Sequence, residues 1–362
     1  MSKYLLFVSA LLLSFPLAAQ DTIRTYYDEE KELIKEIYVR INGKAEGMVK
    51  RYSEDGQLIQ VGQLKNDQRH GLFVDIDPAN GDTLRIVPFI ENQREGLSRS
   101  FYPGGQVQQE LNFVSNLIQG KVTTYFPNGK IKDQTFFKND RPDGLSQSFF
   151  ENGQVNQTIE YQEGEYHGLT EIYNEQGQKI RSATYKNGEI EGKELEYFPD
   201  GGIKSSVVYT KGLLDGEYIS YYPNGQVARK GYFKKGEPDG DLLEYFEDGS
   251  VKSKIAHKKG IPQSPLIVYY ENGNMSLKRE FIDKTDLILK ETFYHPNGNL
   301  FQILPYTDGL LEGEVKMYSE KGILEEVRNY KMGRLDGPRQ FYDEEGKLTK
   351  EEIYKEGKKI DK

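Results

Sequence analysis

Residues 221–240 read YYPNGQVARKGYFKKGEPDG. Pro223 sets φ near −65°, and Asn224-Gly225 follows where the chain must reverse. That is the chemistry of a type I turn closed by a left-handed glycine, a three-residue hairpin loop. Such a loop places Tyr221 directly opposite Val227, an aromatic against a β-branched residue, which is a favourable cross-strand pair. In an unbulged strand Phe233 shares the parity of Val227 and therefore its face. A second turn follows at Lys235-Gly236.

Reading outward from Gly225, glycines recur at 56, 81, 105, 129, 153, 177, 201, 225, 249, 273, 298, 322 and 346. Ten of the twelve intervals are 24 residues and two are 25, so one supersecondary unit is reiterated along the chain. Tyr or Phe stands four residues before the glycine in twelve of thirteen copies; Asp77 is the exception. Eleven residues after it comes Gly in eight copies, and Asp67, Asn92, Asn116 or Asp140 in four more. Those are the residues best able to hold φ > 0, so a left-handed position is expected there, with Lys284 breaking the rule. Another glycine, from Gly71 to Gly240 and at Gly313 and Gly337, is expected to open the next strand. A degenerate first copy begins at Tyr27, with Lys31 in the glycine's place.

The chain therefore reads as all-β: an elongated, solenoid-like array of about fourteen hairpins in a twisted or rolled antiparallel sheet. Residues 21–362 form one continuous array, with irregular junctions at 71–95 (DPANG for YxPNG, and Pro88) and 261–289 (Pro262, Pro265, no second-turn glycine). The stretch GLTEIYNEQGQKIRSATYKNGEIEG (168–192) resembles the MORN-repeat variant family, relatives of the membrane-occupation-and-recognition-nexus repeats. The resemblance covers essentially the whole chain after residue 20 and implies tandem β-hairpins. Members of that family are widely labelled antitoxin-like, and the wider repeat class scaffolds or lipid-associated modules.

Residues 1–20 read as a secretory signal: Lys3, an apolar run from Tyr4 to Leu13, Pro16, then Ala18-Ala19, with cleavage near Ala19 or Gln20. Export to the periplasm, cell surface or medium follows, with no transmembrane span in the mature chain, since no second apolar run is long enough. The chain of 362 residues has no cysteine and a formal net charge of −9. It relies on no disulfide and gains nothing from releasing counterions of a nucleic acid, so no nucleic-acid partner is expected.

Catalytic signatures are missing. GEIEGK (188–193) is one residue short of a phosphate loop, and its glycines are turn positions. His70, His167, His257 and His295 fall in four different repeats, so no metal or other cofactor is expected. Carboxylate runs such as Asp28-Glu29-Glu30, Glu325-Glu326, Glu344-Glu345 and Glu351-Glu352 read as solvated turns and strand faces. One feature exceeds what a repeat demands. Directly after the invariant aromatic, on the opposite face, stand Tyr102, Phe126, Phe150, Phe198, Tyr222, Phe246 and Tyr270. This stripe either packs against neighbouring turns or forms a platform for a polypeptide, glycan or surface polymer.

The reading that results is an exported, non-enzymatic binding or scaffold surface for a protein or envelope polymer. The alternatives are an antitoxin-like neutraliser of a toxin, or a carbohydrate-active enzyme using carboxylates from two repeats. An open edge strand at either end of the array would invite a homodimer.

Overall fold

The computed structural model describes residues 20–360; the segment expected to be a secretory signal, apart from Gln20, lies outside the described residues. The described residues are all-β, without a helix that could cross a membrane. Consecutive strands pair antiparallel through hairpins in chain order. The chain divides into two compact units, residues 1–154 with 161–164, and residues 155–160 with 165–362.

The hairpin loop forms as its turn chemistry requires. Gly225 N–H donates to the Tyr222 carbonyl at 2.9 Å, Tyr222 N–H to the Gln226 carbonyl at 2.8 Å, and Tyr221 pairs with Val227. In the degenerate first copy Lys31 takes φ 62°, and the Asp28 carboxylate accepts from Glu32 N–H at 2.9 Å and Leu33 N–H at 2.8 Å.

The second turn is a two-residue reversal with both residues at positive φ, such as Lys235 (53°) and Gly236 (86°), the turn whose twist matches that of its strands. Asp67, Asn92, Asn116 and Asp140 lie at 66–71°, and even Lys284 lies at 60°. The amide of that second residue also reaches the preceding repeat. In the first unit Asn92 N–H donates to the Arg69 carbonyl at 3.0 Å, and Asn116 N–H to that of Arg94 at 3.1 Å. In the second, Gly212 N–H donates to the Ile190 carbonyl at 3.0 Å and Gly236 N–H to that of Leu214 at 2.8 Å. Where the residue is Asn or Asp its side chain adds a return bond. Asn92 Oδ1 accepts from Arg69 N–H, and Asn116 Oδ1 from Arg94 N–H, each at 2.8 Å.

Two bulges per repeat decide which residues share a face. Ser220 pairs with Arg229 but Tyr221 with Val227, so one extra residue sits in the second strand. Phe233 consequently does not share the face of Tyr221 and Val227, as an unbulged strand would have it. Its ring meets that of Tyr218 edge-on at 6.3 Å instead. The second bulge lies at the glycine expected to open a strand. Gly216 falls inside the strand Leu213–Tyr221 at φ 144°, where an added Cβ would meet Val208 Cβ at 2.8 Å. In the irregular stretch Ser264 holds this place, its hydroxyl accepting from Ala256 N–H at 2.9 Å.

Of the two faces one is buried, along a line of cross-strand pairs through the middle of each hairpin. In the first unit these are Val49 with Gly62, Phe73 with Val87, and Val122 with Thr135. Val49 and Phe73 are fully buried. Gly62 is glycine because Phe73 lies across it: a Cβ there would meet the ring at 2.7 Å from Cγ. Phe89 completes the layer, edge-on to Phe73 at 5.1 Å, with the Arg69 guanidinium over both rings at 5.2–5.3 Å. In the second unit the same line holds Thr170 with Ala183, Glu194 with Val207, Tyr218 with Gly231, and Val315 with Arg328.

Replacing Asn92 by alanine removes both the tolerance of positive φ and the bond to Arg69 N–H, and should cost about 1–3 kcal/mol. Asn92→Gly, which keeps the backbone freedom, should recover part of that loss in equilibrium denaturation. Equal losses for the two variants would mean that the left-handed backbone contributes nothing.

Candidate binding surfaces

The structure places the seven stripe residues at the hairpin turns, all half-buried. Tyr102, Phe126 and Phe150 belong to the first unit, and Phe198, Tyr222, Phe246 and Tyr270 to the second. The tyrosines connect successive repeats. Tyr102 Oη donates to the Tyr125 carbonyl, Tyr222 Oη to that of Tyr245, and Tyr270 Oη to that of Tyr294, each at 2.8 Å. Tyr27 Oη makes the equivalent bond to the Tyr52 carbonyl, and His295 Nε2 to that of Tyr318, also at 2.8 Å. The acceptor is in every case the invariant aromatic of the following repeat. Neighbouring turns are further tied by asparagine amides: Asn272 Nδ2 donates to the Pro296 carbonyl at 2.7 Å, and Asn297 Nδ2 to that of Glu320 at 2.7 Å. The Phe members have no hydroxyl to spend in this way.

A different row of apolar side chains is open to solvent. On the first unit's exposed face Met48, Leu72, Leu97 and Leu145 are 43–56% exposed, where a strand residue facing a core would be nearly covered. They hold one position per repeat, so they recur at roughly 10 Å, two strand spacings. Lys121 interrupts the row, with the exposed Phe136 as its cross-strand partner. Leu169 takes the equivalent place in the second unit and is 44% exposed. The signal was present in the chain as Gly-Met or Gly-Leu pairs (47–48, 71–72, 96–97, 144–145, 168–169), each beginning with the bulge glycine.

In the second unit the buried face carries charge. Glu291 accepts from Arg279 Nε at 2.7 Å and from Tyr306 Oη at 2.8 Å. Burial first, then the hydrogen bond and charge of Glu291, push the Tyr306 phenol up to about 12. Glu326 is held by Arg328 through two bonds of 2.7 and 2.8 Å, and by Arg339 Nε at 2.5 Å. Burial raises its pKa, but the bonds and charges of the two arginines outweigh burial and hold the carboxyl below its ordinary range. Glu194 is likewise paired with Arg181. Glu326 was expected on a solvated strand face; it is 8% exposed, because the bulge in its strand turns it toward Arg328 and Arg339. A carboxylate so held stays ionised and is not a proton donor at neutral pH. Of the histidines, His257 replaces the second aromatic of its repeat, and burial pushes its pKa down.

Eight stretches match the MORN repeat variant: residues 45–66, 94–115, 118–139, 142–163, 214–235, 289–308, 311–332 and 335–356. The chain belongs to the MORN-repeat variant family. Each matched stretch ends at or just before the second turn, so the repeat unit of the family is the hairpin pair described above. No curated protein matches this MORN-variant chain. Among solved structures, a TcdB2-TccC3 crystal structure is 12% identical over 89% of this chain and 22% of its own, with a TM-score of 0.16. A TcdB2-TccC3-Cdc42 crystal structure is 11% identical over 92% and 25%, also at 0.16. A Tc holotoxin pore from Photorhabdus luminescens is 13% identical over 89% and 21%, again at 0.16. The MORN-variant chain thus spans less than a third of those chains, and the likeness is too slight to carry a functional argument.

Two outcomes check this geometry. Tyr222→Phe should lower stability by about 0.5–1.5 kcal/mol, the worth of one hydrogen bond, as read by thermal or urea unfolding. For Glu326 the folded pKa lies below the unfolded one, so its contribution is present above the ordinary carboxylate value, about 4.3. That contribution is lost as pH falls through the lower folded value. Glu326→Gln should therefore flatten the acid limb of the stability profile and cost about 1–3 kcal/mol at neutral pH. An unchanged acid limb would remove Glu326 from that role.

Proposed function

We propose that this MORN-variant protein is exported and acts, without catalysis, as a binding or scaffold surface for a protein or polymer of the cell envelope. The observation that carries the proposal is the exposed row Met48, Leu72, Leu97 and Leu145. An apolar side chain presented in four of five successive repeats of one face is what an extended partner can follow, and exposed apolar surface is informative when it exists. Export rests on the signal-like segment before Gln20 and on the cysteine-free composition. The phenylalanines of the stripe, Phe126, Phe150, Phe198 and Phe246, make no hydroxyl bond between repeats and form a second apolar feature, at the hairpin turns and apart from the row. Self-association would use the strand Gln20–Tyr26, which among the described residues pairs on one side only, with Ile34–Ile41.

Cell fractionation and N-terminal sequencing test export, with a mature terminus near residue 20 expected. The surface is tested by capture from envelope extract, identification by mass spectrometry and reconstitution with the purified partner. The triple variant Leu72→Ser, Leu97→Ser, Leu145→Ser should lose the captured species while its melting temperature stays within about 2–4 °C of the parent. Retention of the same partner by the folded triple variant would refute the row. Turnover of an envelope glycan by the purified protein would refute the absence of catalysis.

A further inference from the structure

The buried face of the second unit contains an open groove of about 480 Å³. Alternation along the strands dictates its lining. Glu194 and Glu196 project from one strand with Phe198 just past its end, Ser205, Val207 and Tyr209 from the next, and Tyr218 and Ser220 from the third, with Lys204, Tyr221 and Pro223 at the rim. Glu196 pairs across the sheet with Ser205, and Ser205 with Ser220, so carboxylate and hydroxyls form one polar row along the floor. Phe198, a member of the aromatic stripe, stands at the turn end of that row, and Tyr209 and Tyr218 stand at the other.

We infer that this groove binds an uncharged oligosaccharide through the Phe198 ring and the Glu196–Ser205–Ser220 row. The charges of the groove cancel locally. Glu194 is paired with Arg181, and Glu196 lies 3.3 Å from Lys204 Nζ. A strongly anionic or cationic ligand would therefore gain little Coulomb energy and would lose its hydration. An acyl chain would need an aliphatic lining, and Val207 is the aliphatic member here. A peptide strand would need free backbone N–H and C=O groups, but these strands are already paired on both sides within the sheet. A pyranose suits what remains. Its C–H face packs on an aromatic ring, and its hydroxyls both donate to carboxylates and exchange hydrogen bonds with Ser and Tyr. The groove's volume falls in the range of small-ligand sites, roughly 300–1,000 Å³. The groove shares Phe198 with the protein-binding proposal but contains none of Leu72, Leu97 and Leu145, the residues on which that proposal is tested, so the two tests can be told apart.

The test is calorimetric titration of the purified chain with maltotetraose, cellotetraose and chitotetraose, with polysialic acid as an anionic control. Saturable binding of at least one neutral tetrasaccharide is expected, and none of the polyanion. Phe198→Ala should weaken binding about tenfold or more, corresponding to about 1.4 kcal/mol, whereas Phe198→Tyr should retain it. If Phe198→Ala proves unfolded by circular dichroism, Ser220→Trp, which fills the floor of the groove, should abolish binding in its place. The inference is overturned if none of the three neutral sugars binds, if the polyanion binds in preference, or if binding survives in a folded Phe198→Ala or Ser220→Trp chain.

Discussion

The amide of the second turn, donated to the carbonyl of the preceding repeat, is the bond on which the array depends. A hairpin alone is marginal in water. What stacks one upon the next is a backbone donor freed by a left-handed residue and aimed at a carbonyl about 22 residues back, as from Gly236 to Leu214. That geometry needs positive φ at two successive residues, and the second is Gly, Asn or Asp in all but one copy. In the first unit Asn or Asp also returns a side-chain acceptor to the same strand, as Asn92 does to Arg69. Glycine in the second unit forgoes that bond for freedom from strain. At the opposite turns Tyr102, Tyr222 and Tyr270 make the corresponding connection through their hydroxyls.

The two bulges convert this stack into two chemically distinct faces. Because the extra residue after Val227 shifts parity, the two aromatic columns of the repeat lie on opposite sides of the sheet. The buried side is lean. In the first unit it is built from Val49, Phe73 and Val122, with Gly62 admitting the Phe73 ring. In the second unit Arg–Glu pairs replace several of these apolar residues. Buried ion pairs of this kind add little net stability, but removing one partner leaves the other charged and uncompensated. They also leave the face polar enough to line a groove with carboxylate and hydroxyl groups, which an aliphatic core could not offer.

Much of this was legible in the residues. The 24-residue ladder of glycines, the Pro-Asn-Gly turns and the Asn/Asp/Gly set at the second turn led to the hairpin array, to the Tyr221–Val227 register and to the left-handed positions. Less legible was which side of each strand faces outward. The period-2 rule, carried through Val227 to Phe233 without an inserted residue, puts Phe233 on the wrong face. The exposed row at Met48, Leu72, Leu97 and Leu145 follows the other bulge, at the glycine of each first strand, which the glycine spacing alone does not reveal. Glu326 reads as one of a run of solvated charges, whereas two arginines enclose it. The seven-residue stripe was visible as a pattern, but not the hydroxyl bonds that give its tyrosines a structural duty.

The chain by itself determined the repeat, its length and its turns, because turn conformation is a local matter: φ > 0 and a three-residue loop are chosen by the few residues within them. Only the tertiary structure decided the faces. A bulge alters parity for every residue beyond it, and it is seen only in the pairing with the neighbouring strand, where Ser220 meets Arg229 but Tyr221 meets Val227. Tyr222 shows both levels at once. Its place beside a Pro-Asn-Gly turn is local, whereas the acceptor of its hydroxyl, the Tyr245 carbonyl, is brought to it by the stacking of the next repeat.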